Sequence, residues 1–346
     1  MKLFAGLGLV LALGLSAVAS AMAAPAAAKL TTTELRVSGA APGQSLYVRN
    51  KHLAGTARFG PAKTVLFVHG ATYPASTAFD LELGGKSWMD ELARQGFDVY
   101  LVDLTGYGGS SRPAAMEQPA EANEPIETTD LAVADVSRVV DQILKRTGAA
   151  KLNLIGWSWG TTIMAGYAAE HPDKVERLVL YAPLWVTGAT PPANPAKPGA
   201  YRLVTRQAAF DRWMNGVPEA KKASLIPPGW FDAWVEATFA TDPTTASRTP
   251  ASLRAPTGTF WDAARYWGQN KPTWDPLKIT VPILLVVGEW DRDTPPSRAQ
   301  TLFPLLTNAP WKQLVVIGEA THTMMMEKNR QQLFDAVDEF LTRKAP

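Results

Sequence analysis

Residues 156–160 read Gly-Trp-Ser-Trp-Gly, between an apolar run, Lys151-Leu-Asn-Leu-Ile155, and a helix-like run from Thr161 to Glu170. A G-x-S-x-G turn has chemical meaning in this setting of strand, sharp turn and helix. Small residues at its flanks let strand and helix approach closely, and the central residue is forced into a strained backbone conformation. Ser158 is thereby lifted out of the fold at the N-terminal end of a helix, where a developing negative charge is stabilised.

A serine hydroxyl is a weak nucleophile at neutral pH. It needs a base, and the base needs an orienting acid. For a nucleophile on this kind of turn the chain order is serine, acid, histidine. His322 is the candidate base: it follows the strand-like run Gln313–Val316 and precedes a helix-like segment near Asn329–Thr342. His171 precedes a proline at a helix end, and His52 lies near the N-terminus. The acid is expected after the buried strand Val281–Val287, which ends in Gly288-Glu-Trp-Asp-Arg-Asp-Thr-Pro-Pro296. Asp291, at the spacing Gly-x-x-Asp, is the candidate. Its rival Asp293 also reads as a turn or capping residue before Pro295. Glu289 is expected to point away. An oxyanion hole takes two backbone N–H groups, here those of Trp159 and Ala71. His69 then reads as a residue that shapes the Ala71 loop, and Tyr73 and Ser76 as residues of the pocket or merely of the loop.

Together these residues resemble the α/β-hydrolase superfamily. The markers are His69-Gly70, the segment Asp103-Leu-Thr-Gly-Tyr-Gly-Gly-Ser-Ser-Arg112, the serine turn, Gly-x-x-Asp291 and His322. The resemblance covers roughly residues 60–184 and 276–344. It implies a doubly wound, mostly parallel sheet with an insertion over the serine. It also implies a serine hydrolase that cleaves a carboxylic ester, lactone or amide through an acyl-enzyme on Ser158, with His322 and Asp291 completing the triad. An acyltransferase or perhydrolase, an aminopeptidase, and a non-catalytic binding protein on the same fold are the alternatives. Two features depart from the common pattern: a tryptophan on each side of Ser158, and His-Gly-Ala-Thr where one lipase and esterase branch has His-Gly-Gly-Gly.

The order of apolar runs supports a doubly wound sheet. Leu35–Val37 and Ser45–Asn50 read as an early hairpin. Strands are expected at 64–68, 98–104, 151–156, 175–181, 281–287 and 312–317, with helices at 86–95, 129–147, 161–170 and 297–306 between most of them. Val133, Val136, Val140 and Leu144 form a helical stripe for one face of the sheet. Between Tyr181 and Lys278 the alternation breaks. This stretch is proline-rich and holds seven of the 12 tryptophans, and it is read as a lid insertion over about 185–277. Trp230 and Trp234 read as lid core. Trp157 and Trp290, set beside the catalytic candidates, and Tyr73 are the substrate-binding candidates, and a hydrophobic or aromatic acyl substrate is expected.

Lys2, the apolar run from Leu3 to about Val18 and Ala21-Met-Ala23 read as a signal peptide over residues 1–23. The mature hydrolase domain, 24–346, is then expected to begin at Ala24 and to be periplasmic or secreted, with no stable membrane anchor after cleavage. The chain has no cysteine, which excludes disulfides and lipoprotein acylation. Formal charge is +2, or +1 once Lys2 is removed, so nothing in it suggests a nucleic-acid partner. No metal-ligand cluster or phosphate-binding loop is present in the sequence, so neither a metal nor a cofactor is expected. The glycines at 106–109 are followed by Arg112 and Pro113 rather than a helix, and read as a turn.

Overall fold

The structure, a computed structural model, describes residues 29–56, 58–188 and 196–344. The expected signal peptide lies outside the described residues. Among the described residues ten strands and ten α-helices follow in chain order: β1 Leu30–Ser38, β2 Ser45–Leu53, β3 Thr64–Val68, α1 Ala75–Ala78, α2 Trp88–Arg94, β4 Asp98–Asp103, α3 Thr129–Thr147, β5 Leu152–Trp157, α4 Trp159–Glu170 and β6 Val175–Tyr181. Then come β7 Tyr201–Thr205, α5 Arg206–Trp213, α6 Glu219–Leu225, α7 Trp230–Phe239, β8 Ser252–Pro256, α8 Gly258–Arg265, β9 Ile283–Gly288, α9 Pro296–Leu302, β10 Lys312–Ile317 and α10 Arg330–Thr342.

Eight strands form one sheet in the order β1-β2-β4-β3-β5-β6-β9-β10. The hairpin β1–β2 joins β4 antiparallel, and the six strands from β4 to β10 run parallel. The chain moves from β3 outward to β4, then returns to place β5 on the other side of β3. That reversal opens a crevice between the C-terminal ends of β3 and β5, where ligands bind in sheets of this kind.

The parallel strands inside the sheet are buried on both faces, β10 at its edge only partly, and their side chains alternate between two apolar layers. Phe67, Ile155, Val179 and Leu284 pack with Trp88, Leu333 and Phe334 of α2 and α10. Leu66, Leu154, Leu178 and Leu285 pack on the other face with Val136, Val140 and Ile163 of α3 and α4. The stripe expected on α3 is centred differently: Ala132, Val136, Val139, Val140 and Ile143 are buried, whereas Val133 and Leu144 are only partly so. Gly148, in the left-handed region at φ 72°, ends this helix.

The stretch expected as an insertion lies outside the main sheet. It forms the antiparallel pair β7–β8 and helices α5 to α8. Trp213, Phe231 and Trp234 make its aromatic core, with ring centroids 5.1–5.9 Å apart. Among the described residues no helix is long and apolar enough to cross a membrane.

Candidate active site

Ser158 sits between β5 and α4 at φ 55° and ψ −118°, a conformation that costs about 1–3 kcal/mol in a non-glycine residue. The surroundings hold it there. Ser158 N–H donates to Tyr181 O at 2.9 Å, and its carbonyl accepts from Thr161 N and Thr161 Oγ1 at 2.9 and 2.5 Å. The two flanking glycines have a steric cause. A Cβ on Gly156 would lie 2.3 Å from Gly160 O, and one on Gly160 would lie 2.4 Å from Val68 O.

His322 follows β10 and is brought to Asp291, which follows β9: Nδ1 to Oδ2 is 2.8 Å. Thr294 N–H and Oγ1–H donate to the two oxygens of Asp291 at 2.8 and 2.9 Å, which fixes the fully buried carboxylate. Asp293 is placed elsewhere. Its Oδ2 lies 3.8 Å from His322 Nε2 and is held by Arg212 Nε and Nη2 at 2.7 and 2.6 Å. Burial works to raise the Asp293 carboxyl, but His322 and Arg212 outweigh it and hold the group below its ordinary range. Glu289 points away and accepts from Glu319 N–H. His322 Nε2 is buried and makes no hydrogen bond, so the Ser158–His322 bond is not formed here. Bonds of this kind commonly tighten only once substrate is bound.

Gly70 lies against the serine, since a Cβ placed there would be 3.0 Å from Ser158 Cβ. The next N–H, that of Ala71, is oriented by His69. Leu104 N–H donates to His69 Nε2 at 3.0 Å, so the neutral ring carries its proton on Nδ1 and donates it to Gly70 O at 2.7 Å. Burial lowers the His69 pKa and keeps the ring neutral, the Asp103 charge opposing this only in part. In a trans peptide the N–H points opposite the C=O, so His69 aims the Ala71 N–H away from itself. The N–H groups of Ala71 and Trp159 donate to nothing among the described residues. Asp103 supports the neighbouring turn, accepting from Gly109 N–H at 3.0 Å and from Ser76 N–H and Oγ–H, both also at 3.0 Å.

Ala71, Ser158 and Trp159 open on a cavity of about 350 Å³. Leu184, Phe260 and Trp267 supply apolar wall. The three residues expected to contact substrate do not line it. Alternation along β5 sends Trp157 into the α2/α10 layer, where it is 3% exposed and its Nε1–H donates to His322 O at 2.9 Å. Tyr73 is buried edge-on against Trp234, 4.6 Å between centroids. Tyr73 and Trp157 share only a 10 Å³ void beside His322. Trp290 is partly buried and packs against the same apolar layer. Nor do Trp230 and Trp234 reach the cavity. The sequence reading missed its charged wall: Arg202 of β7, Arg212 of α5 and Asp293. No local pattern marks those arginines, because only the folding of the insertion brings them over the serine.

Comparison with known proteins agrees with this architecture. Residues 63–329 match the profile of the alpha/beta hydrolase fold, and the chain belongs to that family. It is 27% identical over 257 residues to Protein ABHD8 of Bos taurus, a match covering 70% of this chain and 49% of that protein; the chain thus spans about half the length of such relatives. Among solved structures, a thermophilic esterase from Thermogutta terrifontis aligns with a TM-score of 0.59 at 18% identity, covering 91% of this chain and 100% of that one. The 2-hydroxy-6-oxo-6-phenylhexa-2,4-dienoate hydrolase of Rhodococcus sp. strain RHA1 aligns with a TM-score of 0.58 at 17% identity, over 91% and 100%. At these identities the structural likeness speaks to fold.

Proposed function

We propose that the chain is a serine hydrolase that cleaves a carboxylic ester, lactone or amide through an acyl-enzyme on Ser158. One observation carries this reading. A serine on a strained strand–helix turn and two undonated backbone N–H groups open on one cavity, and the cavity-wall residues Asp293 and Thr294 join it to a histidine paired with a buried carboxylate. His322 Nε2 takes the Ser158 proton as Oγ attacks the acyl carbonyl, and Asp291 holds the ring and stabilises the imidazolium. The N–H groups of Trp159 and Ala71 receive the oxyanion, each contributing about 3 kcal/mol of transition-state stabilisation. The imidazolium then protonates the leaving group. Water, deprotonated by the same nitrogen, releases the acid and restores the serine. Arg212 has a part here, since by engaging Asp293 it keeps that second carboxylate from competing for Nε2.

The apolar wall of Leu184, Phe260 and Trp267 favours a hydrophobic or aromatic portion in the substrate. The test is hydrolysis of acyl esters of graded length, lactones and aminoacyl anilides by the protein and by Ser158→Ala. Turnover lost in the variant is expected, and the preferred class defines the leaving group. Turnover that survives intact in Ser158→Ala would rule out the acyl-enzyme. We also propose export with cleavage before Ala24, on the strength of Lys2, the apolar run and Ala21-Met-Ala23; the N-terminal sequence of protein recovered from the periplasm or medium checks it.

A further inference from the structure

Two guanidinium groups meet in the wall of the Ser158 cavity. Arg202 Nη2–H and Arg212 Nη1–H both donate to Thr72 Oγ1, at 2.5 and 2.7 Å. Like charges brought to one neutral oxygen repel each other, so each needs a counter-charge. Arg212 has one in Asp293, on which it places two donors. Arg202 has none: among the described residues it pairs with no carboxylate. Its Nε is sealed from solvent without an acceptor, and its Nη1 makes no hydrogen bond yet keeps solvent access. Phe260 stacks against it, 4.7 Å from ring centroid to Cζ. Two positive groups and one negative group therefore leave one excess positive charge in a small, partly apolar cavity. A guanidinium cannot shed its proton to relieve this.

We propose that Arg202, with Arg212 behind it, receives a carboxylate of the substrate, so that the bond cleaved at Ser158 belongs to an acyl group carrying a terminal negative charge. The planar guanidinium matches a carboxylate, and the cavity lies near the small end for ligand sites, which suits a short acidic acyl chain. Burial and the neighbouring Arg212 both work against the charge of Arg202, and a bound carboxylate would relieve both. A purely structural strut explains the arrangement less well. Arg212 already ties Thr72 to Asp293, and the charge of Arg202 adds nothing to that tie. The proposal rests on Ser158 being the nucleophile, and its test separates the two ideas.

The probes are mono-4-nitrophenyl glutarate and its methyl ester, which differ by one charge at the same acyl length. Wild type should favour the charged ester in kcat/KM. In Arg202→Gln the ratio of charged to neutral kcat/KM should fall ten-fold or more, with the loss mainly in KM, and Arg202→Lys should recover part of it. Independently of turnover, glutarate should bind Ser158→Ala in calorimetry, and the added Arg202→Gln substitution should remove that binding. Arg202-dependent discrimination or Arg202-dependent glutarate binding supports the subsite. Equal ratios in wild type and Arg202→Gln, together with no Arg202-dependent glutarate binding, overturn it. Loss of Ser158-dependent turnover on both esters, with glutarate binding retained, would instead count against the nucleophile.

Discussion

Trp157 Nε1–H donates to the carbonyl oxygen of His322 at 2.9 Å, so the residue just before the proposed nucleophile holds the backbone of the proposed base. Tyr181 Oη–H donates to the same oxygen at 2.8 Å, and the two rings stack at 6.2 Å. The loop after β10 is thus pinned to the ends of β5 and β6. Trp157→Phe keeps an aromatic ring in the apolar layer and removes one of the two donors. It should cost about 1 kcal/mol of stability and lower kcat roughly ten-fold through misplacement of the imidazole, with little change in KM. Urea unfolding and ester kinetics measure both. Lost stability with an unchanged kcat would reduce the bond to a packing detail.

Gly160 should tolerate no side chain. Its Cβ would lie 2.4 Å from Val68 O and 2.7 Å from His69 O, both backbone atoms. Gly160→Ala should destabilise the protein by about 3 kcal/mol or more, the range of severe overpacking. Gly166 lies on the same helix and provides the contrast. Its Cβ would make an ordinary 3.5 Å contact with Val133 Cγ2, so Gly166→Ala should be neutral or stabilising by about 0.5–1 kcal/mol. Thermal melts of the two variants test the difference.

Glu327 is a buried carboxyl that accepts from Trp213 Nε1 at 2.9 Å, Thr321 N–H at 3.1 Å and Thr321 Oγ1–H. Burial raises its pKa to about 7, against the pull of those donors. Its pKa in the folded state lies above that in the unfolded chain. The stability it confers is therefore fully present below the unfolded value and is lost as pH rises through about 7. The loss is on the order of 3 kcal/mol. Glu327→Gln should abolish this slope, so the variant gains on wild type from pH 5 to pH 8. Parallel stability curves for the two proteins would contradict it.

His69 should matter to rate without touching substrate. Its Nδ1–H holds Gly70 O and so aims the Ala71 N–H. His69→Ala frees that peptide to rotate, and kcat should fall by about 10²-fold, the effect of losing one oxyanion donor. KM should stay within a few-fold. Equal losses on kcat and in thermal stability across several substitutions would indicate a purely structural residue.

Much of the fold was legible because each parallel strand is a short apolar run bounded by turn residues. The helix after Thr128 and the strands at 64–68, 175–181 and 312–317 stand at the expected residues. The strained turn at Ser158 and the pairing of His322 with Asp291 were legible too, since each of these residues follows a recognisable strand. Strand alternation could have warned that Trp157 faces the core, two positions beyond Ile155 on the same side of β5. The pairing of β7 with β8 had no such signal. Its partners are separated by three helices, and β8 ends in Pro256. The two arginines were invisible for the same reason: their meeting at Thr72 is made by tertiary packing alone.

The central claim, an activated Ser158, is tested most directly by labelling the folded protein with a fluorophosphonate and mapping the adduct by mass spectrometry. One stoichiometric adduct on Ser158 is expected, absent in Ser158→Ala and strongly slowed in His322→Ala. Folded protein left unlabelled, or labelled equally fast without His322, would contradict it.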